Sequence, residues 1–514
     1  MSVYRTCRRL GEQNRSGCPK MTAKSSLPAP RTESHAMSAI ATGSPVPGTT
    51  ESLESDLTVI PESSRTTDLR GQFWIWAGAN IAPINWILGA LGVSMGLGLF
   101  ETIAVLAVGN AIGMSLFGTF VVIGQRTGVT GMVLARAVFG RRGAYVPAAV
   151  QAVVCMGWCA VNTWIVLDLV MALLGRVGIV DPDNASATPR ILVAAIIMVI
   201  QVVIAWFGYR VIAKFERWTV PPTVAVLVAM TLVAWFGLDV DWGYSGVPTL
   251  TTTEHIAALS AVMTAIGIGW GITWLGYAAD YSRFVSTSVP SRKLFAVSAL
   301  GQFIPVIWLG ALGATLATLS TSTDPGEIIV DAYGALAIPV LLLVVHGPLA
   351  TNILNIYTCT VSTQALDIHI NRRVLNVVIG VVAMAIVVVF VLNGDFAATI
   401  DAWLVGIVGW LSPWAAVMLV HYFFIARRQV DAEALVAPPE ARLLPMVRPT
   451  ALAALAIGVV CTWMFMYGMT PLLQGPAALA LGGVDLSWLA GGLTAGISYL
   501  ALEAVRSRRT TVSG

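Results

Sequence analysis

The sequence predicts an all-α protein that crosses a membrane about twelve times. Of its 514 residues, 56% are hydrophobic and 11% are charged, whereas about 25% of a soluble domain is charged. The mean hydropathy is +0.78, and the hydrophobic residues fall in blocks of roughly 20 or more, the length that a helix needs to cross a bilayer. Short polar or Gly/Pro-containing loops separate the blocks, which cover approximately residues 72–98, 101–124, 145–173, 190–212, 218–238, 256–283, 294–319, 336–364, 373–393, 397–425, 449–470 and 484–504.

The two ends of the chain lack this pattern. Residues 1–68 are rich in Ser, Thr, Pro and charged residues, and no apolar run there is long enough for the core of a signal peptide. Such a composition predicts a disordered tail. A second, short tail is expected over residues 505–514.

The charges of the loops predict the orientation of the chain. Every second loop is basic, from Arg126 after the second block to Arg427 and Arg428 after the tenth, and the other loops are mainly acidic. Basic loops stay on the cytoplasmic side of a membrane. We therefore expect a multi-pass protein of the plasma membrane with both tails in the cytoplasm.

The first block is interrupted in its middle. In FWIWAGANIAPINWILGALG, Asn80 and Pro83 occur where a membrane helix would otherwise be continuous. Proline removes a backbone donor and clashes with the preceding turn, so a break is predicted near residue 82. A broken helix at membrane depth must be buried in protein or line a cavity, because lipid cannot satisfy freed backbone groups.

The sixth block is the second candidate for a break. Its segment GIGWGITWLGYAADYSRF, residues 267–284, contains four glycines, and Trp270 and Trp274 lie one helical turn apart among them. A break near Gly271 that carries large aromatic residues would form a binding site. The alternative is that the glycines allow close helix packing and the tryptophans face lipid or the membrane interface.

The spacing of these features suggests an internal repeat. The two predicted breaks are 189 residues apart, and Asn162 in the third block is 190 residues before Asn352 in the eighth. Five blocks separate the members of each pair, so the second copy would be inverted in the membrane. The expected organisation is a first repeat over 69–238, a second over 256–425, and two further helices over 449–504.

Polar residues inside the blocks are the candidate binding groups. Intramembrane polar side chains usually face the interior of the helix bundle, although interhelical hydrogen bonding is an alternative role for Asn and Thr. Indole rings can stack on a flat solute and carboxamides can both donate and accept hydrogen bonds, so the set suits a planar, neutral heterocycle. The predicted substrate-binding residues are Asn80, Trp158, Asn162, Trp270, Gly271, Trp274, Asn352 and Asn355.

A site for a small cation is predicted beside this set. Unwound carbonyl groups from Ala79 to Ala82 would approach Thr351 of the eighth block, and exposed carbonyls at broken helices coordinate cations in transporters. The alternative is that the Thr351 hydroxyl bonds to a carbonyl of its own helix. The metal ion that such a site would bind is sodium.

Several classes of function are excluded by what the loops lack. They contain no Walker loop, no zinc-ligand cluster and no nucleophile–His–Asp set, and they are too short for a catalytic domain. Cys155 and Cys159 are one helical turn apart without a second ligand pair, which favours buried thiols. We expect neither an enzyme nor a cofactor, and the dispersed basic residues give no support for nucleic-acid binding.

Four segments of the chain together resemble a known family. GVTGMVLARAVFGRRGAYVPA, GWCAVNTW, AADYSRF and ATNILNIYTCTVSTQAL, in this order, are similar to segments of the nucleobase–cation symporters of the purine/cytosine permease type, over roughly residues 68–505. The resemblance implies a five-plus-five inverted repeat of the leucine-transporter type, two extra C-terminal helices and alternating access. It also implies a planar base held between Trp158 and the sixth helix, with amides at Asn162 and from Asn352 to Asn355.

The sequence departs from this family at three positions. One is Asn355, which falls one residue short of the asparagine in hydantoin-type relatives, so the resemblance leaves the exact solute open. Ala350 precedes Thr351 where sodium-coupled relatives carry two adjacent hydroxyl residues, which leaves sodium and proton coupling both open. The stacking aromatic residue of the relatives falls at Gly271, so either Trp270 or Trp274 must replace it, or stacking is one-sided.

The expected function is cation-coupled import of a nucleobase, cytosine or a purine. The first alternative is transport of a related heterocycle such as hydantoin, allantoin or a vitamin precursor, and the second is a non-transporting receptor or a passive channel. The expected partners are a small heterocycle and the lipid bilayer. The sequence leaves the solute, the ion and the oligomeric state open.

Overall fold

Helices form nearly all regular structure in the part of the chain that is described. The computed structural model describes residues 57–180, 186–206, 209–319, 325–368, 370–393 and 396–512. Within these ranges, β pairing is limited to isolated bridges between Thr67 and Val285 and between Tyr467 and Gln474. The predicted all-α class is therefore confirmed.

The twelve predicted blocks each correspond to a helix, and we number the helices accordingly. Among the described residues, nine helices are long and apolar enough to cross a membrane, and three shorter apolar helices complete the set. The helices are α1a (Leu69–Asn80) and α1b (Ile84–Ser94), α2 (Leu99–Thr127), α3 (Tyr145–Arg176), α4 (Ala187–Trp206), α5 (Tyr209–Gly237), α6 (Thr252–Ser282), α7 (Ser291–Leu316), α8 (Ala337–Gln364), α9 (Arg372–Asn393), α10 (Phe396–Val420), α11 (Pro449–Met464) and α12 (Ser487–Val512).

The first helix breaks where the sequence predicts. Helix α1a ends before Ile81, whose φ of −82° and ψ of 68° are not helical, and Pro83 leads into α1b. A residue before proline avoids the α region, which explains a break at this point. Asn85 Nδ2 donates to the freed carbonyl of Asn80 at 2.5 Å.

The predicted interruption of the sixth helix is present, but it lies at Trp274 and not at Gly271. Helix α6 continues through Gly271; it contains a π-helical stretch over Met263–Ile268 and a discontinuity at Trp274. A Cβ atom added to Gly271 would lie 2.4 Å from the backbone carbon of Gly113 in α2. The glycine therefore allows two backbones to approach closely, which is the alternative that the sequence left open.

The π-helical stretch has its own partner in α2. A π-helix changes the backbone pairing from i→i+4 to i→i+5 and is common at functional sites. Asn110 Nδ2 donates to the carbonyl of Ile266 within the stretch at 3.3 Å. The neighbouring helix thus satisfies a backbone group of the irregular segment.

The helices pack in two sets of four. Helices α1, α2, α6 and α7 form one set, and α3, α4, α8 and α9 form the other. Helix α10 packs against α6 and α12, and α11 packs against α12. The interrupted helices α1 and α6 belong to the same set and face α3 and α8 of the other.

Residues 57–68 differ from the predicted tail. Residues 1–56 of that prediction lie outside the described residues, but the segment before α1a is packed. Ile60 is fully buried and its N–H donates to the carbonyl of Gly128 at 3.0 Å, and Arg65 donates to the carbonyl of Gln125 at 2.6 Å. The burial of Ile60, together with the backbone N–H and the arginine that satisfy carbonyls at the end of α2, explains why this part is ordered. The tail predicted over 505–514 overlaps α12, which continues to Val512.

Candidate functional site

A small cavity lies where α1, α3, α6 and α8 meet. All of its lining residues are at most 7% exposed, so the cavity is enclosed by protein. Within the described chain it is lined by Ala79, Ile84, Trp158, Asn162, Trp270, Thr273, Trp274, Tyr277, Thr351 and Asn355.

Aromatic rings form its walls. The rings of Trp158 and Trp270 are 5.5 Å apart and nearly perpendicular, at 88°. Trp274 follows at 6.4 Å from Trp270, and Tyr277 at 5.3 Å from Trp274. Both tryptophans of α6 therefore line the cavity, where the sequence offered one or the other. Perpendicular rings present both a face and an edge to a flat solute.

Carboxamides also line the cavity. Asn162 Nδ2 donates to Asn352 Oδ1 at 2.9 Å, and Asn355 Nδ2 donates to the same oxygen at 3.1 Å. Tyr277 OH donates to Asn355 Oδ1 at 3.0 Å. Asn162 and Asn355 line the cavity, whereas Asn352 lies behind them and joins them.

Asn80 lies behind the aromatic wall. The indole Nε1 of Trp270 donates to Asn80 Oδ1 at 2.9 Å, and Asn80 Nδ2 donates to the carbonyl of Trp76 at 2.9 Å. Asn80 is fully buried and does not line the cavity. Its contacts orient Trp270 against the end of α1a.

The structure does not bring Gly271 to the cavity. Its Cα faces Gly113 of α2, on the side of α6 away from the lining residues. Thr273 and Tyr277, which the sequence analysis did not select, line it instead. They follow Trp270 by three and seven residues, the spacing of one helical face, and this signal could have identified them.

Of the predicted cation-binding residues, Ala79 and Thr351 line the cavity and Ala82 does not. Thr351 Oγ1 is 3.3 Å from the carbonyl oxygen of Ala79 and 3.2 Å from that of Gly347, one turn earlier in its own helix. Both proposed partners of the hydroxyl are therefore within reach. Ala82 is fully buried, and its carbonyl accepts from the N–H of Asn85 at 3.1 Å.

These groups fit a hard monovalent cation in chemical type. The hydroxyl of Thr351 and the carbonyls of Ala79 and Ala82 all offer neutral oxygens, and hard cations bind oxygen ligands. Among the described residues, no cluster of His, Cys, Asp and Glu could hold a metal ion. Cys155 and Cys159 are buried free thiols, as the sequence predicts.

Charged groups lie outside the lining. Asp280, near the end of α6, accepts a hydrogen bond from the N–H of Gly131 at 2.9 Å. Gly131 begins a short helix, Gly131–Phe139, between α2 and α3. At the other end of this helix Arg136 pairs with Asp367, just after α8, at 3.2 Å. Burial lowers the pKa of the Arg136 guanidinium, and the short helix connects the end of α6 to the end of α8.

Comparisons with known proteins agree on one family. The family described as "Permease for cytosine/purines, uracil, thiamine, allantoin" matches residues 59–491. YxlA of Bacillus subtilis, which carries the name purine-cytosine permease, is 26% identical over 464 residues, covering 88% of this chain and 95% of the relative. The purine-cytosine permease fcyB of Emericella nidulans is 23% identical over 460 residues, covering 84% of each chain.

Solved structures share the fold. Mhp1, a nucleobase-cation-symport-1 family transporter in a closed conformation with bromovinylhydantoin bound, matches with a TM-score of 0.70 at 18% identity, covering 88% of this chain and 96% of the other. The inward-facing conformation of Mhp1 matches with a TM-score of 0.67 at 19% identity, covering 88% and 93%. The expected five-plus-five inverted repeat of the leucine-transporter type, followed by two C-terminal helices, is thereby confirmed.

Proposed function

The chain belongs to the family of permeases for cytosine/purines, uracil, thiamine and allantoin, and we propose that it imports a nucleobase, cytosine or a purine, together with a cation. Membership of a permease family accords with a membrane transporter of nucleobase-like solutes and with the absence of enzymatic chemistry. The particular solute, the import direction and the coupling to a cation are the proposal.

The enclosed cavity between α1, α3, α6 and α8 is the observation that carries the proposal. It has indole rings, carboxamides and no charged side chain among its described lining residues. Ring stacking contributes about 0.5–1.5 kcal/mol beyond buried area, and carboxamides match the mixed donors and acceptors of a base edge. A neutral, flat solute with hydrogen-bonding edges is the best fit.

Each lining group has a proposed role. Trp158, Trp270 and Trp274 are the stacking walls, and Asn162 and Asn355 read the edge of the ring. Asn80 and Asn352, which lie behind the lining, act by orienting Trp270 and the two amides. Gly271 acts by allowing α6 to approach α2.

The coupling ion is proposed to bind beside Thr351. The Ala79 carbonyl and the Thr351 hydroxyl would hold it between α1 and α8, with Ala82 at the break of α1. An ion in this position would contact both four-helix sets, so its binding would favour the conformation in which the two sets meet. Such differential binding couples an ion gradient to alternating access.

The membrane arrangement belongs to the same proposal. The two repeats would cover residues 69–238 and 256–425, with α11 and α12 within 449–504 and both tails in the cytoplasm. The positive-inside rule supports this orientation, and the plasma membrane is the proposed location.

The closest competitor is transport of another planar heterocycle, such as hydantoin, allantoin or a vitamin precursor. The same indole and amide groups suit any ring with adjacent donors and acceptors. The bound bromovinylhydantoin in the Mhp1 structure shows that a protein of this fold takes such a ring. Competition between solutes separates these possibilities.

Uptake into proteoliposomes tests the proposal. Radiolabelled cytosine would be offered under an imposed sodium or proton gradient, with adenine, hypoxanthine and allantoin as competitors. Saturable, gradient-driven uptake supports the proposal. If allantoin blocks the uptake best, the alternative of another planar heterocycle is favoured. Flux that neither saturates nor responds to either gradient indicates a channel, and binding without flux indicates a receptor.

A further inference from the structure

A backbone carbonyl determines the orientation of the amides around the cavity. A carbonyl oxygen only accepts hydrogen bonds, so the Asn352 atom that lies 3.2 Å from the carbonyl of Cys159 is its Nδ2. Asn352 Oδ1 then faces Asn162 and Asn355, at 2.9 and 3.1 Å. Both neighbours must present an N–H to it.

The opposite orientation is disfavoured by the same carbonyl. If the whole amide chain were reversed, Asn352 Oδ1 would lie about 3.2 Å from the oxygen of Cys159. The two acceptors would then repel each other in a buried site, and the Cys159 oxygen would keep only the hydrogen bond from Thr163 Oγ1, at 2.7 Å. The observed direction is therefore the stable one.

Gln201 of α4 completes the bonding of Asn352. Its Oε1 accepts from Asn352 Nδ2 at 2.8 Å, and Thr163 Oγ1 lies 3.0 Å from the same oxygen. An asparagine side chain has two N–H donors and two acceptor lone pairs. Asn352 uses all four, on Gln201, Cys159, Asn162 and Asn355, and has none left for a solute.

We propose that Gln201 is a positioning residue for substrate selection. It is 5% exposed, belongs to α4 and does not line the cavity, so it acts only through Asn352. By accepting a hydrogen bond from Asn352 Nδ2, Gln201 helps to hold Asn352 Oδ1 toward Asn162. Asn162 then directs its Nδ2 to Asn352 and leaves its own Oδ1 to face the cavity. This inference rests on the proposed function, because it concerns which base edge the site accepts.

The amide orientation specifies the chemistry of that edge. Asn162 offers an acceptor, and Asn355 has a second N–H to donate beside it. The complementary solute presents an N–H donor next to an acceptor. The amino group and adjacent ring nitrogen of cytosine or of adenine have this pattern, and removing the amino group removes the donor.

Two matched ligand pairs test the inference. Cytosine is compared with 2-pyrimidinone, and adenine with purine, because each pair differs only in the amino group. Dissociation constants are measured on the purified full chain by competition against a radiolabelled base. The variants are Gln201→Met, which removes the acceptor, and Gln201→Glu, which keeps an acceptor oxygen. Gln302→Met is the control, since Gln302 of α7 is equally buried and does not line the cavity.

The expected result is a change in selectivity. In at least one pair, the wild-type protein should bind the amino member with a dissociation constant about tenfold lower. The member without the amino group loses roughly one buried hydrogen bond. Gln201→Met should reduce that preference at least about threefold, whereas Gln201→Glu and Gln302→Met should retain it.

Other outcomes overturn one claim or the other. If Gln201→Met weakens both members of a pair equally, or leaves the preference unchanged, Gln201 is structural and the inference fails. A wild-type protein that binds a base without preferring the amino form contradicts the assigned amide orientation. A folded wild-type protein that binds none of the four ligands refutes the proposed function itself. If Gln201→Met does not fold, the preference of Gln201→Asn, whose shorter amide cannot reach Asn352, provides the same comparison.

Discussion

Asn162 donates a hydrogen bond to Asn352 at 2.9 Å, and these residues are 190 positions apart in the chain. Trp270 donates to Asn80 at the same distance, and the separation is again 190. With an offset of about 190 between the repeats, each pair joins a position in the first repeat to its counterpart in the second. Equivalent positions touch only near the axis that relates the two copies.

The proposed repeats would therefore place the cavity at their interface. Asn162 and Trp270 both line it, and their partners Asn352 and Asn80 lie directly behind. Transporters with inverted repeats bind solutes at this interface and alternate by moving one group of helices against the other. One pair joins α3 to α8 within the same four-helix set, and the other joins α1 to α6 within the second set. Both can persist while the sets move.

We expect Trp158→Ala to raise the dissociation constant for the transported base at least about tenfold. The substitution removes one aromatic wall and its stacking energy. Trp158→Phe should restore part of the affinity. The control is Trp74→Ala, since Trp74 is 59% exposed on α1a and outside the cavity. Equal losses for Trp158→Ala and Trp74→Ala in binding assays would contradict the assigned wall.

We expect Thr351→Val to raise the sodium concentration needed for half-maximal uptake by about tenfold, while Thr351→Ser remains close to wild type. The proposed site consists of neutral oxygens, which do not exchange a proton near neutral pH, so it suits a metal cation, for which we propose sodium, better than a proton. Valine keeps the shape and removes the hydroxyl. Uptake measured over a series of sodium concentrations at constant pH checks this. If uptake is driven by protons, does not depend on sodium and is unchanged in Thr351→Val, the coupling site is not at Thr351.

The features that depend on local physical chemistry could be predicted from the sequence. The twelve helices follow from blocks of hydrophobic residues, and the break in α1 follows from Pro83. The conformation at Gly271 could not be predicted in this way. A glycine can break a helix or allow close packing, and here Gly113 of another helix decides the outcome.

The same distinction applies to the site. Trp158 and Asn162 share a helical face, and their convergence with α8 was expected from the spacing of polar residues. The position of Asn352 behind the lining depends on Gln201, on a helix from which the sequence singled out no residue. Pairwise contacts between distant helices decide which amide faces the solute. The roles of all these residues in binding remain predictions.

We expect Asp280→Ala to lower the free energy of unfolding by about 1–3 kcal/mol and Asp280→Asn to lower it less. The carboxylate accepts from the N–H of Gly131, the first residue of the short helix 131–139, and a buried donor is left without its partner when the acceptor is removed. Asparagine retains an oxygen acceptor. Thermal unfolding in detergent, followed by size-exclusion chromatography, checks the order. Unchanged stability in Asp280→Ala would contradict a role in holding this helix.

We expect Gly271→Ala to destabilise the protein by about 1–3 kcal/mol, although the residue does not line the cavity. The added Cβ would lie 2.4 Å from the backbone carbon of Gly113, and neither backbone can move without displacing α2 from α6. The control is Gly78→Ala on α1a, where a Cβ would meet nothing within 4 Å and alanine favours a helix.

Thermal unfolding and ligand affinity measured together separate the two roles of Gly271. A close-packing role predicts that Gly271→Ala lowers the unfolding temperature and that Gly78→Ala does not. Any fall in the affinity of the folded protein for the base should then come only from the displacement of α6, which moves Trp270 and Trp274. If Gly271→Ala is as stable as wild type but no longer binds the base, Gly271 belongs to the substrate site. A methyl group that α2 tolerates could then act only by obstructing the solute.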